Sequence, residues 1–371
     1  MKELLKRLIQ AESTRRCGER AAAQVLAAYL KDHGLEVELD GWDESRANVA
    51  ARLRSSGQRP GLLFGAHLDV VPPGDEPWTH APFDAVEEDG RLYGRGATDM
   101  KGPLAAAAAA VAELADEGAA LKGDLVLAAT AGEETDSCGV KRFVERQSGS
   151  LGPLCGTVIC EPTGFTVVTA HRGMCWLRVT TFGRTAHSSM PQMGVNAISK
   201  MRRILEAMET FVPAHQPDPL LGAPSMSINR IEGGSAPNVV PDRCAIQVDF
   251  RLVPGQEAAA LVEEVRALCS RLAGDDPDFR AQVEIIRAVG PLKVDSDEPF
   301  VRQVCRTVGA EGPVAVGYTT DGPYFAELGA PLVVFGPGDS SVCHKPDEYV
   351  GLSDLERGKQ CFKQIISACL L

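Results

Sequence analysis

Apolar runs that stop at an acid or a histidine recur along this sequence, and that recurrence restricts the folds open to it more than any other feature. His67 and Asp69 follow "GLLFGA", Glu133 and Glu134 follow "DLVLAATAG", Glu161 follows "GTVIC", and His344 lies a few residues past "PLVVFG". Each run reads as a buried strand, of the kind found in parallel sheets. Helical patterns lie among them: "GERAAAQVLAAYLKDHG", closed by Gly34, and "PLAAAAAAVAELADEG", opened by Pro103 and closed by Gly118. Proline suits a first helical turn and glycine an end. Alternation of strands with helices implies a largely parallel sheet with helices on its faces. In open sheets of this type ligands bind at the carboxyl ends of the strands, so these acids and histidines are expected to converge on one crevice. Asp99, in "GRGATDMKGP", precedes the amino end of a helix and so belongs to the same edge.

Near residue 174 the pattern changes. "MCWLRVTTFG" alternates as a strand does, "GVNAISKMRRILEAMETF" is helical, "PSMSINRIEGG" and "RCAIQVDFRLV" are strands, "GQEAAALVEEVRALCSRLAG" is helical and "FRAQVEIIRAV" is a strand. The order β-α-β-β-α-β is that of the ferredoxin-like split unit with an antiparallel sheet. The first pattern then resumes, with a helix near residues 298 to 309 and a closing helix from Ser353. The expected fold is α/β: a largely parallel-sheet domain, residues 1–173 and 284–371, with an inserted ferredoxin-like α+β domain, residues 174–283. A chain of 371 residues also exceeds what one core usually supports.

Convergence of five carboxylates and two histidines in a partly dry crevice would be costly without compensating cations. Two divalent ions sharing a carboxylate, each with N and O ligands and a water, are the expected compensation. Asp99 as the shared ligand, with one histidine and one glutamate per ion, uses His67, Asp99, Glu134, Glu161 and His344. Asp69, on the same strand face as His67, is expected to accept the remaining ring N–H of that histidine. Glu133, beside the ligand Glu134, is expected to be the general base.

The rest of the composition narrows the partners. A net charge of −12 argues against nucleic acid or an anionic membrane. The amino terminus "MKELLKRLIQAE" carries charges throughout, unlike a signal peptide, and no uncharged run reaches the roughly 18 residues of a membrane span. Eleven scattered cysteines without a C-x-x-C pair read as free thiols in a reducing compartment. A cytoplasmic location is expected.

The segments "GAHLDVVP", "GRGATDMKG", "AGEETDS", "CEPTG", "GRTAHSSMPQMGVNAI", "APNVVPDRCAIQVDFR" and "GPGDSSVCHKPDEYV" together resemble the co-catalytic dinuclear metallo-aminoacylases and carboxypeptidases, the family of acetylornithine deacetylase, succinyl-diaminopimelate desuccinylase and the glutamate carboxypeptidases. The resemblance runs over nearly the whole chain in the family's order. It implies that His67 and Glu161 hold one metal ion, Glu134 and His344 the other, that Asp99 bridges them, and that the bond after Asp99 is cis. It also implies that the inserted domain is a lid through which the chain forms a homodimer. His187 then matches a lid histidine that polarises the scissile carbonyl in the other subunit's site, and Asn238 and Arg251 match lid residues that contact substrate. Arg172, in "AHRG", is a further candidate anion anchor, and Arg251 has a second reading as the ion-pair partner of Asp249 or Asp242.

The implied reaction is hydrolysis of the amide bond of an N-acyl amino acid, with Zn as the first expectation for the metal and Co or Mn as others. "GPGDSSVCHKPDEYV" is most similar to the acetylornithine deacetylases, whereas the Thr-Asp-Gly of "GYTTDGPYF" leans toward the desuccinylases or a broader deacylase. A dipeptidase or carboxypeptidase of the same family is a second reading, and a non-catalytic binding protein on the same fold a remote one.

Overall fold

The strand Gly61–His67 is buried at every residue and lies between two parallel neighbours, Leu125–Thr130 and Leu154–Ile159. Its register pairs His67 with Thr130 and Gly65 with Ile159. These three strands therefore end together, and the loops that follow them leave from one edge of the sheet. We describe residues 1–274 and 276–371 of a computed structural model, in which the chain divides into two units: Met1–Thr169 with Val294–Val314 and Thr320–Leu371, and Ala170–Lys293 with Ala315–Thr319.

In the first unit the parallel core continues to Leu332–Val334, which runs parallel to Leu154–Ile159. Antiparallel strands flank it. Glu36–Gly41 pairs with Ala47–Leu53, which pairs with Leu125–Thr130. This outer pair has no counterpart in the expectations above, because Glu36–Gly41 is largely exposed with only Val37 and Leu39 apolar, and Asn48 and Arg52 interrupt the apolar run of Ala47–Leu53. Helix Lys101–Asp116 starts two residues before Pro103, which sits in its first turn where a missing N–H costs nothing. Its alanine run is buried all round. Helix Leu352–Leu370 packs beside it and supplies Phe362, whose ring lies 5.4 Å from that of Phe64 and 5.9 Å from that of Phe335. Alanine at these positions lets both helices approach closely, and the larger side chains come from the strands and the C-terminal helix. Gly65 follows the same logic: a Cβ there would sit 2.9 Å from Ile159 Cδ1 and from the Phe325 ring.

In the second unit four strands form an antiparallel sheet in the order Ser225–Gly233, Arg243–Leu252, Gly173–Phe182, Arg280–Val289. Helices Ala197–Met208 and Ala258–Ala273 cover one face. Leu177, Val179, Ile246, Val248 and Phe250 point toward them and pack with Met201, Ile204 and Val265, each fully buried large side chain contributing about 1.5–3 kcal/mol. Trp176, Arg178, Gln247, Asp249 and Arg251 alternate onto the other face and stay half-exposed. The boundary read at residue 283 falls inside Arg280–Val289, whose pairing with Gly173–Phe182 continues to Val289. Among the described residues no helix is long and apolar enough to cross a membrane.

Candidate metal centre

His67 closes its strand with a side chain 2 % exposed. Its Nδ1–H donates to the backbone carbonyl of Asp69 at 3.0 Å, which turns Nε2 toward two carboxylates, Asp99 Oδ1 at 3.2 Å and Glu161 Oε1 at 3.8 Å. His344 is arranged alike. Its Nε2 lies 2.9 Å from Glu134 Oε1 and 3.2 Å from Asp99 Oδ2. The two imidazoles therefore face one shared carboxylate from its two oxygens, and each also faces a glutamate of its own. Ligand atoms lie within 4.8 Å of one another in three overlapping groups: His67, Asp99 and Glu161; Asp99, Glu134 and His344; His67, Glu133 and Glu134.

Local backbone explains how residues far apart in sequence arrive here. Glu161 comes two residues after the strand Leu154–Ile159, and Glu133 and Glu134 three and four residues after Leu125–Thr130. Gly132 takes φ +83°, a left-handed turn that suits glycine, and starts the loop that carries both glutamates. Asp99 enters through a cis bond to Met100 just before helix Lys101–Asp116. His344 follows the short 3-10 turn Ser340–Val342 and has φ +64°.

Asp69 does a different job from the one expected of it. Its Oδ1 lies 3.7 Å from His67 Nδ1, too long for the expected hydrogen bond, and its own carbonyl takes that proton instead. The carboxylate accepts three consecutive backbone N–H groups, Gly132 at 2.9 Å and Glu133 at 3.0 Å on Oδ1, and Glu134 at 2.9 Å on Oδ2. The physical reason is the demand of the loop: three amides converge on one buried point, and a carboxylate offers the two acceptor oxygens that satisfy all three.

Crowding sets the protonation of the cluster. Burial, then the charges of Asp321 and Glu134, hold the Glu133 carboxyl well above its ordinary range. Burial likewise raises Glu134, and raises Glu161 to about 8 with the charges of Asp99, Glu134 and Asp321 adding to it. Burial alone would lower His67, but its hydrogen bond to Asp99 and the charges of Glu161 and Asp69 carry it well above the usual imidazole range. Hydrogen bonds to Asp99 and Glu134 raise His344 to about 10. Burial works against ionising Asp99, yet the hydrogen bonds from His344 and His67 hold its carboxyl below the ordinary range. The cluster thus demands positive charge at two places, one beside each Nε2, with Asp99 between them. The donor set of imidazole nitrogen and carboxylate oxygen suits divalent ions of the zinc, cobalt or manganese type.

Two buried groups near the cluster were not assigned from the sequence. Asp321, 3 % exposed, precedes helix Gly322–Ala326, and its charge bears on Glu133 and Glu161. Its signal was the Thr-Asp-Gly of "GYTTDGPYF", read for specificity alone. Lys101, fully buried, donates from Nζ to the carbonyls of Leu8 and Ala11 at 2.8 and 3.1 Å, and burial lowers its pKa to about 7. It closes the end of helix Lys2–Gln10.

The second unit carries the remaining candidates. His187 and Asn238 are exposed on neighbouring extended segments, joined where Ser188 N–H donates to the Asn238 carbonyl at 3.0 Å. His187 Nδ1 contacts Ser189 Oγ at 2.8 Å. Arg251 Nη2 donates to Asp249 Oδ2 at 2.9 Å, which is its second reading. Arg172 donates to the Leu221 carbonyl at 2.7 Å and to Ser225 Oγ at 3.3 Å, and Ser225 is the cross-strand partner of Arg251. Arg172 and Arg251 are thereby neighbours around Ser225.

Residues 63–368 match the family model described as peptidase family M20/M25/M40. Acetylornithine deacetylase of Myxococcus xanthus is 35% identical over 335 residues, spanning 89% of this chain and 83% of that protein. A probable succinyl-diaminopimelate desuccinylase of Staphylococcus epidermidis is 30% identical over 377 residues, 90% of this chain and 91% of that one. The fold is similar to that of an M20 family metallo-carboxypeptidase from Sulfolobus solfataricus, with a TM-score of 0.81, 19% identity and 98% of each chain covered. The chain therefore belongs to peptidase family M20/M25/M40 and is a hydrolase of amide bonds.

Proposed function

We propose that this hydrolase is a metal-dependent N-acyl amino acid deacylase of the acetylornithine deacetylase type. The observation that carries the reading is the pair of histidine Nε2 atoms that face opposite oxygens of Asp99, each with its own glutamate. His67, Glu161 and Asp99 would hold one divalent ion, and Glu134, His344 and Asp99 the other, with zinc first and cobalt or manganese as substitutes. Bound there, such ions polarise the scissile carbonyl and acidify a water.

The protein's own groups do the rest. Glu133 takes the proton from the attacking water and hands it to the departing nitrogen, so that amide and water become carboxylate and amine. Asp69 fixes the backbone of Glu133 and Glu134, which sets the distance from base to reacting centre. Arg251 binds the substrate carboxylate as a bidentate fork, with Arg172 as its neighbour around Ser225, and Asn238 contacts substrate from the segment next to His187. His187 donates to the oxyanion in the site of a second copy, a contribution of about 10²–10³ in rate. In this reading the second unit is a lid and dimerisation module, and the enzyme works as a homodimer in the cytoplasm, where its eleven cysteines stay reduced.

A desuccinylase or a dipeptidase would use the same groups on a different acyl or amino part. The likeness to the Staphylococcus epidermidis protein favours testing the first. Initial rates on N-acetylornithine, N-succinyl-diaminopimelate and small dipeptides, with chelator and with added Zn²⁺, Co²⁺ or Mn²⁺, separate the three. The highest kcat/KM is expected on N-acetylornithine and should vanish with chelator. Absence of metal-dependent hydrolysis on every substrate would remove the proposal.

A further inference from the structure

Glu348 stands four residues past His344 in "HKPDEY" and has no part in the chemistry above. It is wholly buried. Its Oε1 accepts the backbone N–H groups of Thr98 and Asp99 at 2.9 and 3.0 Å, and its Oε2 accepts from Arg95 Nη1 at 2.7 Å. Arg95, 1 % exposed, also donates from Nη1 to the Lys345 carbonyl at 3.3 Å, and its guanidinium lies over the Trp78 ring, 5.0 Å from the centroid. Backbone bonds join the same two segments: Gly94 N–H donates to the Glu348 carbonyl at 2.8 Å, and Tyr349–Gly351 pairs with Arg91–Tyr93.

A buried ion pair is a poor source of stability, because desolvating both charges offsets their attraction. What it supplies is defined geometry through charge-assisted bonds. Here the bonds end on the amide of Asp99 and on the segment that carries His344. His67, by contrast, ends a strand of the parallel core and Glu161 comes two residues after one, so both take their places from sheet register. We propose that Glu348, held by Arg95, is a positioning residue that fixes the Asp99 carboxylate against His344, so that an ion between Asp99, Glu134 and His344 depends on it more than one between His67, Asp99 and Glu161. The inference rests on the metal reading of the site and adds a residue that touches neither ion nor substrate.

The test is calorimetric titration of Zn²⁺ into chelator-stripped full-length protein, comparing wild type with E348Q and E348A. Wild type should show two binding steps. In both variants one of the two steps should lose about tenfold or more in affinity, the size seen when outer partners of metal ligands are removed, while the other stays within about threefold of wild type, well short of that size. E348Q keeps the side-chain shape and an acceptor oxygen, so it decides the question if E348A does not fold. I366A, a core change in the C-terminal helix, serves as the control for general loosening, and its two steps should match wild type. Cobalt absorption of the half- and fully loaded forms reads the same two sites independently of activity. Two unchanged steps in E348Q, or an equal loss in I366A, would overturn the proposal while leaving the metal reading intact. A wild type that binds no Zn²⁺ would overturn both.

Discussion

At the scale of single residues, Asp69 shows what the sequence could and could not convey. The i, i+2 spacing placed it beside His67 on one strand face, yet its carboxylate serves amides from a loop that starts 63 residues further on. Nothing local to "HLD" encodes that partner, because backbone N–H groups leave no signature in residue type. Asn at position 69 presents one acceptor oxygen and an NH₂ that would confront one of the three amides. Leaving such a buried donor unpaired costs about 1–3 kcal/mol. D69N is therefore expected to keep the fold, to lose kcat more than KM as Glu133 drifts, and to bind Zn²⁺ more weakly; steady-state kinetics and metal titration check this. The cluster of His67, Asp99, Glu134, Glu161 and His344 was legible for the opposite reason, since imidazoles and carboxylates near strand ends announce themselves.

The protonation of the same groups gives a second expectation at this scale. Glu161 holds its proton up to about 8, His344 up to about 10, and Glu133, Glu134 and His67 are also raised. A divalent ion must displace those protons. Binding then releases protons, and apparent affinity rises with pH and falls as pH drops below the raised carboxyl values. Titrations at pH 6, 7 and 8 in buffers of different ionisation enthalpy should show this slope, and a flat affinity over that range would contradict it.

At the scale of elements, strands and helices with strong periodicity were readable and short or polar ones were not. The split β-α-β-β-α-β order appears in the second unit with its strands in the expected succession. The outer strand Glu36–Gly41 and the short pair Val86–Glu88 and Arg91–Tyr93 were missed, because three to six residues with few buried side chains carry too little pattern. The helix through the alanine run was legible, but alanine has no apolar stripe to reveal that both faces are covered. Its burial makes two opposite substitutions costly. A108L overfills a closed space and should lose about 1–3 kcal/mol, and F362A removes the ring between Phe64 and Phe335 and should lose about 3–5 kcal/mol. Urea unfolding of the metal-free protein measures both, and wild-type stability in A108L would refute the closed packing around helix Lys101–Asp116.

At the scale of the whole molecule, the sequence separated two styles of structure, one rich in buried strands and one with alternating strands around two helices. The division was legible because each style buries its own core. Its exact edges were not, since a strand such as Arg280–Val289 crosses the boundary read at residue 283. If His187 acts in the site of a second copy, two inactive variants should complement each other. Mixing equal amounts of H187A and E133Q under subunit exchange leaves half the molecules mixed, each with one intact site, so about a quarter of wild-type activity should return in a two-fold symmetric dimer. No recovery, with exchange shown by mass-tagged subunits, would place His187 in its own chain's site or outside the reaction.

The central claim is that the acids and imidazoles gathered at the ends of the parallel strands are made compatible by two divalent ions, which the hydrolysis then requires. Its most direct test is to strip the protein with chelator, titrate it with Zn²⁺, and follow bound metal and N-acetylornithine hydrolysis in the same samples. The account predicts no hydrolysis in the stripped protein, and full activity together with saturation at two ions per chain. Undiminished hydrolysis in the presence of chelator, or a stripped protein that takes up no Zn²⁺, would contradict it.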